Sequence, residues 1–147
     1  MILYHFTTVN HLKNIQKKGL ALGIIPVSLD PNGGNHFRFL PHWQWLTQSP
    51  DWEQDWDHPI HGTAKLPFRR TEIRITVEIP SLYAFKCIRW DAWVSRMKPA
   101  SSEFFIRFPS SRFWYVYHGT IPPSWFIAVE QNPNRPTSDH HDSLLEN

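Results

Sequence analysis

Apolar residues occur along this chain in short runs, separated by proline, glycine and polar residues. The clearest pattern lies between residues 71 and 80, where every second residue is apolar: Ile73, Ile75, Val77 and Ile79. Alternation with a period of two is typical of a half-buried β-strand. Shorter apolar runs predict further strands at residues 43–47, 113–118 and 125–130. Strands therefore dominate the predicted elements.

One helix is predicted near the start of the chain, directly after a short apolar strand. Val9, Leu12 and Ile15 recur at helical spacing. Thr8 is a suitable N-cap because its hydroxyl can accept a hydrogen bond from the first turn, and Gly19 is a suitable stop. Two shorter helical segments are expected at residues 51–56 and 89–98.

Many short strands with a few short helices predict an α+β fold. The 147 residues are enough for one domain with a real core, and too few for two comfortable ones. We therefore expect a single domain over residues 1–131. The remaining segment, residues 132–147, is polar and contains proline, and we expect it to be disordered.

Composition and charge limit the kinds of partner and of covalent cross-link that we expect. The formal net charge is only +2, which gives no electrostatic argument for nucleic acid. The single cysteine, Cys87, excludes an internal disulfide framework, and it has neither a plausible helix N-terminus nor a nearby histidine to activate its thiol. No signal peptide or membrane-length apolar run is visible, so we expect no membrane partner and a cytoplasmic location.

Histidines and aspartates between residues 36 and 61 raise the question of a metal site. Among these histidines, only His58 and His61 form a pair with spacing typical of zinc ligands. No cysteine or predicted helix would fix that pair. We therefore expect no metal site.

The opening of the chain resembles a known superfamily. Tyr4-His5-Phe6-Thr7, followed by a helix that ends in Ile15-Gln16-Lys17-Lys18-Gly19-Leu20, is similar to the start of ADP-ribosyltransferases of the diphtheria-toxin-like branch. The resemblance implies a split β-sheet that binds NAD. It also implies that His5, with the backbone of Phe6 and Thr7, holds the amide and ribose of the nicotinamide half. Phe6 stands where the family carries glycine.

A second segment extends the resemblance. Trp45-Leu46-Thr47 is followed by Trp56, at positions where the family has an aromatic residue, a hydroxyl and a second aromatic residue. The resemblance implies that Trp45 and Trp56 sandwich the nicotinamide and that Thr47 lies beside it. A flat heterocycle gains energy by stacking on aromatic faces. The alternative is that both tryptophans belong to the core.

The family's third element is a glutamate on a later strand, which holds the ribose and stabilises its positive charge. The strand at residues 113–117 contains no acidic residue, so we take Glu103 as the candidate carboxylate. Glu78 and Glu130 are weaker candidates. Tyr115 can bind a ribose hydroxyl, but a phenol supplies no negative charge to the transition state.

Two other patterns have simpler interpretations. Four cations, Lys65, Arg69, Arg70 and Arg74, could contact the phosphates of NAD or RNA, although we favour a solvated loop face as their explanation. A second Tyr-His-Gly-Thr begins at Tyr117, but no helix follows it. We interpret it as a turn at the end of a strand.

The sequence thus predicts an ADP-ribosyltransferase-like domain that binds NAD. If active, it would break the nicotinamide–ribose bond and pass ADP-ribose to water, as a glycohydrolase, or to an unknown protein or nucleic acid acceptor. His5, Glu103 and Tyr115 are the candidate catalytic residues. One alternative is a catalytically inactive module of the same fold that binds a nucleotide or a protein. Another is an enzyme similar to RNA 2′-phosphotransferases, although these usually carry more basic residues in the first two motifs.

Overall fold

The computed structural model describes residues 1–28, 37–54, 71–96 and 108–134 of the chain. They form a single α+β domain with one six-stranded antiparallel sheet, a separate hairpin and two helices. In spatial order the sheet strands are β6 (Cys87–Arg89), β7 (Trp114–His118), β4 (Trp43–Thr47), β1 (Ile2–Thr7), β5 (Ile73–Glu78) and β8 (Phe126–Gln131). The hairpin pairs β2 (Ile24–Ser28) with β3 (Phe37–Pro41), and the helices are α1 (Val9–Lys18) and α2 (Trp90–Val94). Within these residues no helix is long and apolar enough to cross a membrane.

The sheet consists of two three-stranded halves that meet between β1 and β4. Six residue pairs join β1 to β5 and five join β4 to β7. A single registered pair, Tyr4 with Thr47, joins β1 to β4. We call this boundary between β1 and β4 the seam. Because the ladder at the seam is so short, the contact between the halves depends on side chains as well as backbone.

Each face of the sheet carries its own core. The α1 face lies under α1, and its buried side chains come from both halves: Leu3, Leu46, Ile75, Val77 and Tyr117. The α2 face lies under α2 and the hairpin, and its main cluster of buried apolar side chains is Ile25, Trp90, Val94 and Val116. Alternation along the strands decides which face each site residue joins.

Most of the predicted elements are present, with shifted ends. The alternating strand is confirmed as β5, and Ile73, Ile75, Val77 and Ile79 are all buried. The first helix is confirmed as α1. Gly19 has the positive φ expected of a stop residue, at 83°, but its ψ of −175° is extended rather than left-handed helical. This geometry leads the chain directly into a bridge between Leu20 and Ile121.

The two short helical predictions are only partly correct. Residues 51–54 form no helix, although Ser49 Oγ does accept from the Asp51 amide at 3.3 Å. There the side-chain amide of Gln54 donates to the Asp51 carbonyl. In a helix, a backbone amide would donate to that carbonyl. The helix predicted at 89–98 is observed over Trp90–Val94. It ends where Ser95 Oγ donates to the Ala92 carbonyl.

The C-terminal boundary of the domain also differs from the prediction. The side chain of Asn132 is buried and donates to the Thr71 carbonyl at 3.0 Å, and its amide donates to the Glu72 carbonyl at 2.8 Å. These bonds extend the pairing of β8 with β5 beyond residue 131. Asn132 is therefore part of the fold, and residues 135–147 lie outside the described part of the chain.

The start of α1 is held by the carboxylate of Glu72, the residue just before β5. Thr8 Oγ1 accepts from the Asn10 amide at 3.4 Å, as an N-cap should, and donates to Glu72 Oε2 at 2.8 Å. The same Glu72 oxygen accepts from the Val9 amide at 3.0 Å. A negative charge at a helix N-terminus is favourable because the first amides carry partial positive charge.

Replacing Thr8 by alanine is expected to lower the free energy of unfolding by about 1–2 kcal/mol, because the cap and the bond to Glu72 are both lost. Thr8→Ser keeps the hydroxyl and should cost clearly less. In a double-mutant cycle measured by urea unfolding, Thr8→Ala and Glu72→Gln should be non-additive by at least about 0.5 kcal/mol. Additive effects would show that the carboxylate does not support the cap.

Candidate functional site

His5 lies at the seam. It is on β1, opposite Ile75 of β5, and therefore belongs to the α1 face. Its Nδ1 lies 2.9 Å from the backbone carbonyl of Trp45 on β4. The imidazole thus bridges β1 and β4 just beyond the Tyr4–Thr47 pair. The first and second sequence motifs thus lie on neighbouring strands, although the side chain of His5 and the ring of Trp45 lie on opposite faces of the sheet.

The contact with Trp45 fixes the chemical form of His5. A carbonyl oxygen only accepts, so Nδ1 must carry the proton and Nε2 is left as an acceptor in the neutral ring. Burial lowers the pKa of His5 below the ordinary histidine value, the bond to Trp45 opposes this, and nearby His11 lowers it further. His5 therefore presents a neutral imidazole whose Nε2 can accept a hydrogen bond from a hydroxyl or an amide.

The lowered pKa predicts that acid destabilises the protein through His5. The unfolded chain binds the proton more tightly than the folded protein does. The contribution of neutral His5 to the free energy of unfolding is therefore complete above the unfolded pKa of 6.5 and is lost as pH falls below it. The expected slope is at most about 1.4 kcal/mol per pH unit. His5→Gln should flatten the dependence of unfolding free energy on pH between 7 and 5. An unchanged slope, with exposed His118→Gln as the comparison, would contradict this assignment.

Phe6 and Thr7 follow His5 on alternate faces. Phe6 is opposite Arg74, so it lies on the α2 face, where its ring is 5.8 Å from that of Trp52 in an edge-on contact. Thr7 is opposite Ile73, on the α1 face with His5, and is buried. Since the Phe6 side chain points away from the face of His5, a large residue fits at this position, where the family that the N-terminal motif resembles carries glycine.

Trp45 and Thr47 lie on the α2 face of β4. The indole of Trp45 donates to the Ile24 carbonyl at 2.8 Å. Its ring centroid is 4.5 Å from that of Trp90 and 5.8 Å from that of Trp114. Buried Thr47 accepts from the Ser49 amide at 3.1 Å. The Trp45 ring thus packs with other tryptophans on the face opposite His5, and only its backbone touches the histidine.

Tyr115 lies on the same face as His5, in the other half of the sheet. It is paired with Leu46, whose neighbour Trp45 supplies the carbonyl that His5 contacts. Tyr115 packs against the α1-face core and remains partly accessible. Two further candidates, Trp56 and Glu103, lie outside the described residues.

Glu72 is a residue that the sequence analysis did not single out. It occupies the amide at the start of α1, a position where a small anionic ligand would otherwise bind. The only signal in the sequence was its place on the polar side of the alternating strand. The pairing of β1 with β5 is what brings its carboxylate to Thr8.

Arg74 is the described member of the predicted cation group, and its charge is already paired. Its guanidinium donates to Glu130 Oε2 at 2.9 Å. A phosphate would have to compete with that carboxylate, so Arg74 is a poor phosphate ligand. Lys65, Arg69 and Arg70 lie outside the described residues.

The remaining reactive groups have structural surroundings. Desolvation raises the pKa of Cys87 to about 11, so its thiol stays protonated at neutral pH. No group of three or more His, Cys, Asp or Glu residues in the described ranges is arranged to hold a metal ion. The second Tyr-His-Gly-Thr is a strand end: β7 stops at His118, whose ring stacks on Trp43, and Gly119 follows with a φ of 115°.

Comparisons with known proteins gave no match. The chain matches no protein-family model, no curated protein and no solved structure. The assignment of a function therefore depends on the residues at the seam.

Proposed function

We propose that the protein is an ADP-ribosyltransferase-like domain that binds NAD at the seam, with His5 as the central contact. The observation that carries the proposal is the division of the sheet into two halves with His5 at the division. A split sheet with the histidine of the Tyr-His motif in its cleft is what the resemblance of residues 4–20 implies.

The chemistry of His5 supports a nucleoside ligand. A neutral imidazole with Nε2 as acceptor suits a ribose hydroxyl or the carboxamide N–H of nicotinamide. Tyr115 lies on the same face and offers a phenol to a second hydroxyl. A ligand in contact with His5 on the α1 face could reach only the backbone of Trp45, because the Trp45 ring packs on the α2 face.

The proposed reaction breaks the bond between nicotinamide nitrogen and ribose carbon. The bonding electrons leave with nicotinamide, which becomes neutral, and the ribose acquires positive charge. Water or an acceptor nucleophile then forms the new bond to ribose and loses its proton. A carboxylate stabilises such a transition state better than a neutral group does, and Glu103 is the residue to which we assign that role.

A second candidate function is binding without catalysis. It is favoured by β7, where Tyr115 occupies the strand on which the resemblance leads us to expect a glutamate. The two candidates share NAD binding and differ in nicotinamide release.

The test is a calorimetric titration with NAD, paired with chromatography for released nicotinamide. We expect binding by the wild-type protein and about tenfold weaker binding by His5→Ala, because the ligand loses a hydrogen-bond partner. The matched control is His118→Ala, an exposed histidine on β7, which should bind as wild type does. Wild-type protein that binds no NAD at millimolar concentration would overturn the proposal. Binding without nicotinamide release would favour the non-catalytic module.

A further inference from the structure

The side chain of Arg74 touches three parts of the chain on the α2 face. Nε and Nη2 donate to Glu130 Oε2 at 3.2 and 2.9 Å, and Nη1 donates to the backbone carbonyl of Pro50. The guanidinium carbon lies 4.6 Å from the ring centroid of Trp52 and 5.7 Å from that of Tyr4. The side chain is only 17% exposed. Arg74 therefore ties β5 to β8 and to the segment that follows β4.

That segment, residues 48–54, crosses the seam. It begins in the half of the sheet that contains β4, where the Gln48 amide donates to the Phe113 carbonyl at 2.9 Å. It continues to Trp52, whose ring contacts Phe6 on β1 and lies against the guanidinium of Arg74 on β5. The segment thus connects the two halves on the α2 face, next to the one registered pair that joins them.

We infer that Arg74 is a positioning residue, which holds residues 48–54 across the seam and so sets the geometry of the site around His5. Its effect on NAD rests on the proposed function, whereas its effect on the segment does not. One registered pair restrains two halves of a sheet weakly, so a second tie beside it matters.

Arg74 holds residues 48–54 through the shape of its guanidinium and not through its charge. Its positive charge is balanced by Glu130, while the planar fork reaches Pro50 and stacks on Trp52. Lysine keeps the charge, but its ammonium has neither the planar fork that reaches Glu130 and Pro50 together nor a flat face to lie on Trp52. Arg74→Lys therefore separates positioning from electrostatics.

The experiment measures amide hydrogen exchange and NAD affinity on the same variants. In Arg74→Lys we expect exchange at residues 48–54 to rise about tenfold or more, with no change in β7, and NAD binding to weaken about tenfold. Trp52→Leu removes the stacked ring from the other side of the contact and should give the same pattern. Arg89→Lys is the matched control, because Arg89 is exposed and its ion pair in the described part of the chain is with nearby Asp91, so both measurements should stay at wild-type values.

The outcomes are distinguishable. Unchanged hydrogen exchange at residues 48–54 in both Arg74→Lys and Trp52→Leu would overturn the inference, whatever the NAD affinity of these variants. Faster exchange with unaltered NAD affinity would overturn the positioning of the site. If the wild-type protein binds no NAD but Arg74→Lys loosens the segment, the tie across the seam stands and the proposed function fails.

Discussion

Replacing Trp90 by alanine is expected to destabilise the protein by about 3–5 kcal/mol, a large part of the 5–15 kcal/mol typical of a domain. Trp90 is fully buried, and its ring lies 4.5 Å from that of Trp45 and 6.4 Å from that of Trp114. Alanine would leave a cavity in the α2-face core and remove the support under Trp45. The midpoint of thermal unfolding, followed by circular dichroism, should fall by about 10–20 °C.

Two further variants control this prediction. Trp90→Phe keeps most of the apolar volume and should cost clearly less than the alanine variant. Phe85→Ala removes an aromatic ring that is 79% exposed, and we expect a change within about 0.5 kcal/mol. Equal losses for Trp90→Ala and Phe85→Ala would show that the α2 face is not a core.

Replacing Glu103 by glutamine is expected to cut nicotinamide release by a factor of about 100 or more, with little change in NAD affinity. In the proposed reaction the carboxylate would act on charge that develops only in the transition state, so turnover should fall while ground-state binding remains. Initial rates at saturating NAD measure turnover, and calorimetry measures the affinity. This prediction applies if the wild-type protein releases nicotinamide.

The matched control is Glu78→Gln. Glu78, a weaker candidate from the sequence, is exposed at the end of β5 and is paired with Ile2 on the face opposite His5, so its replacement should leave turnover unchanged. Tyr115→Phe tests the phenol on the face of His5 and should lower turnover less than Glu103→Gln does. If Glu103→Gln turns over as wild type does and Tyr115→Phe does not, the role at the ribose belongs to Tyr115.

The local patterns of the sequence determined the elements that depend on near neighbours. The alternation in β5 predicted its buried residues, because side-chain direction in a strand follows from position alone. Thr8 and the spacing of Val9, Leu12 and Ile15 predicted α1 in the same way. The strand ends at His118 and near Thr47 also followed from short-range patterns.

The helical prediction at residues 51–56 shows why local patterns do not suffice. Ser49 and Pro50 favour a helix start, and Ser49 does accept from the Asp51 amide. Residues 51–54 nevertheless form no helix. Pro50 and Trp52 are instead engaged by Arg74, a residue more than twenty positions away in the chain. Contacts of this range outweigh the small preferences of individual residues.

Only the tertiary structure decided which candidate residues meet. The resemblance implied that His5, Thr7, Trp45 and Thr47 surround one nicotinamide. In the structure His5 is paired with Ile75 and Trp45 with Val116, which places the His5 side chain and the Trp45 ring on opposite faces of the sheet. Strand order likewise brought Glu72 to Thr8 and left β1 and β4 with one registered pair. Register is set by the burial of both faces at once, and no single stretch of sequence contains that information.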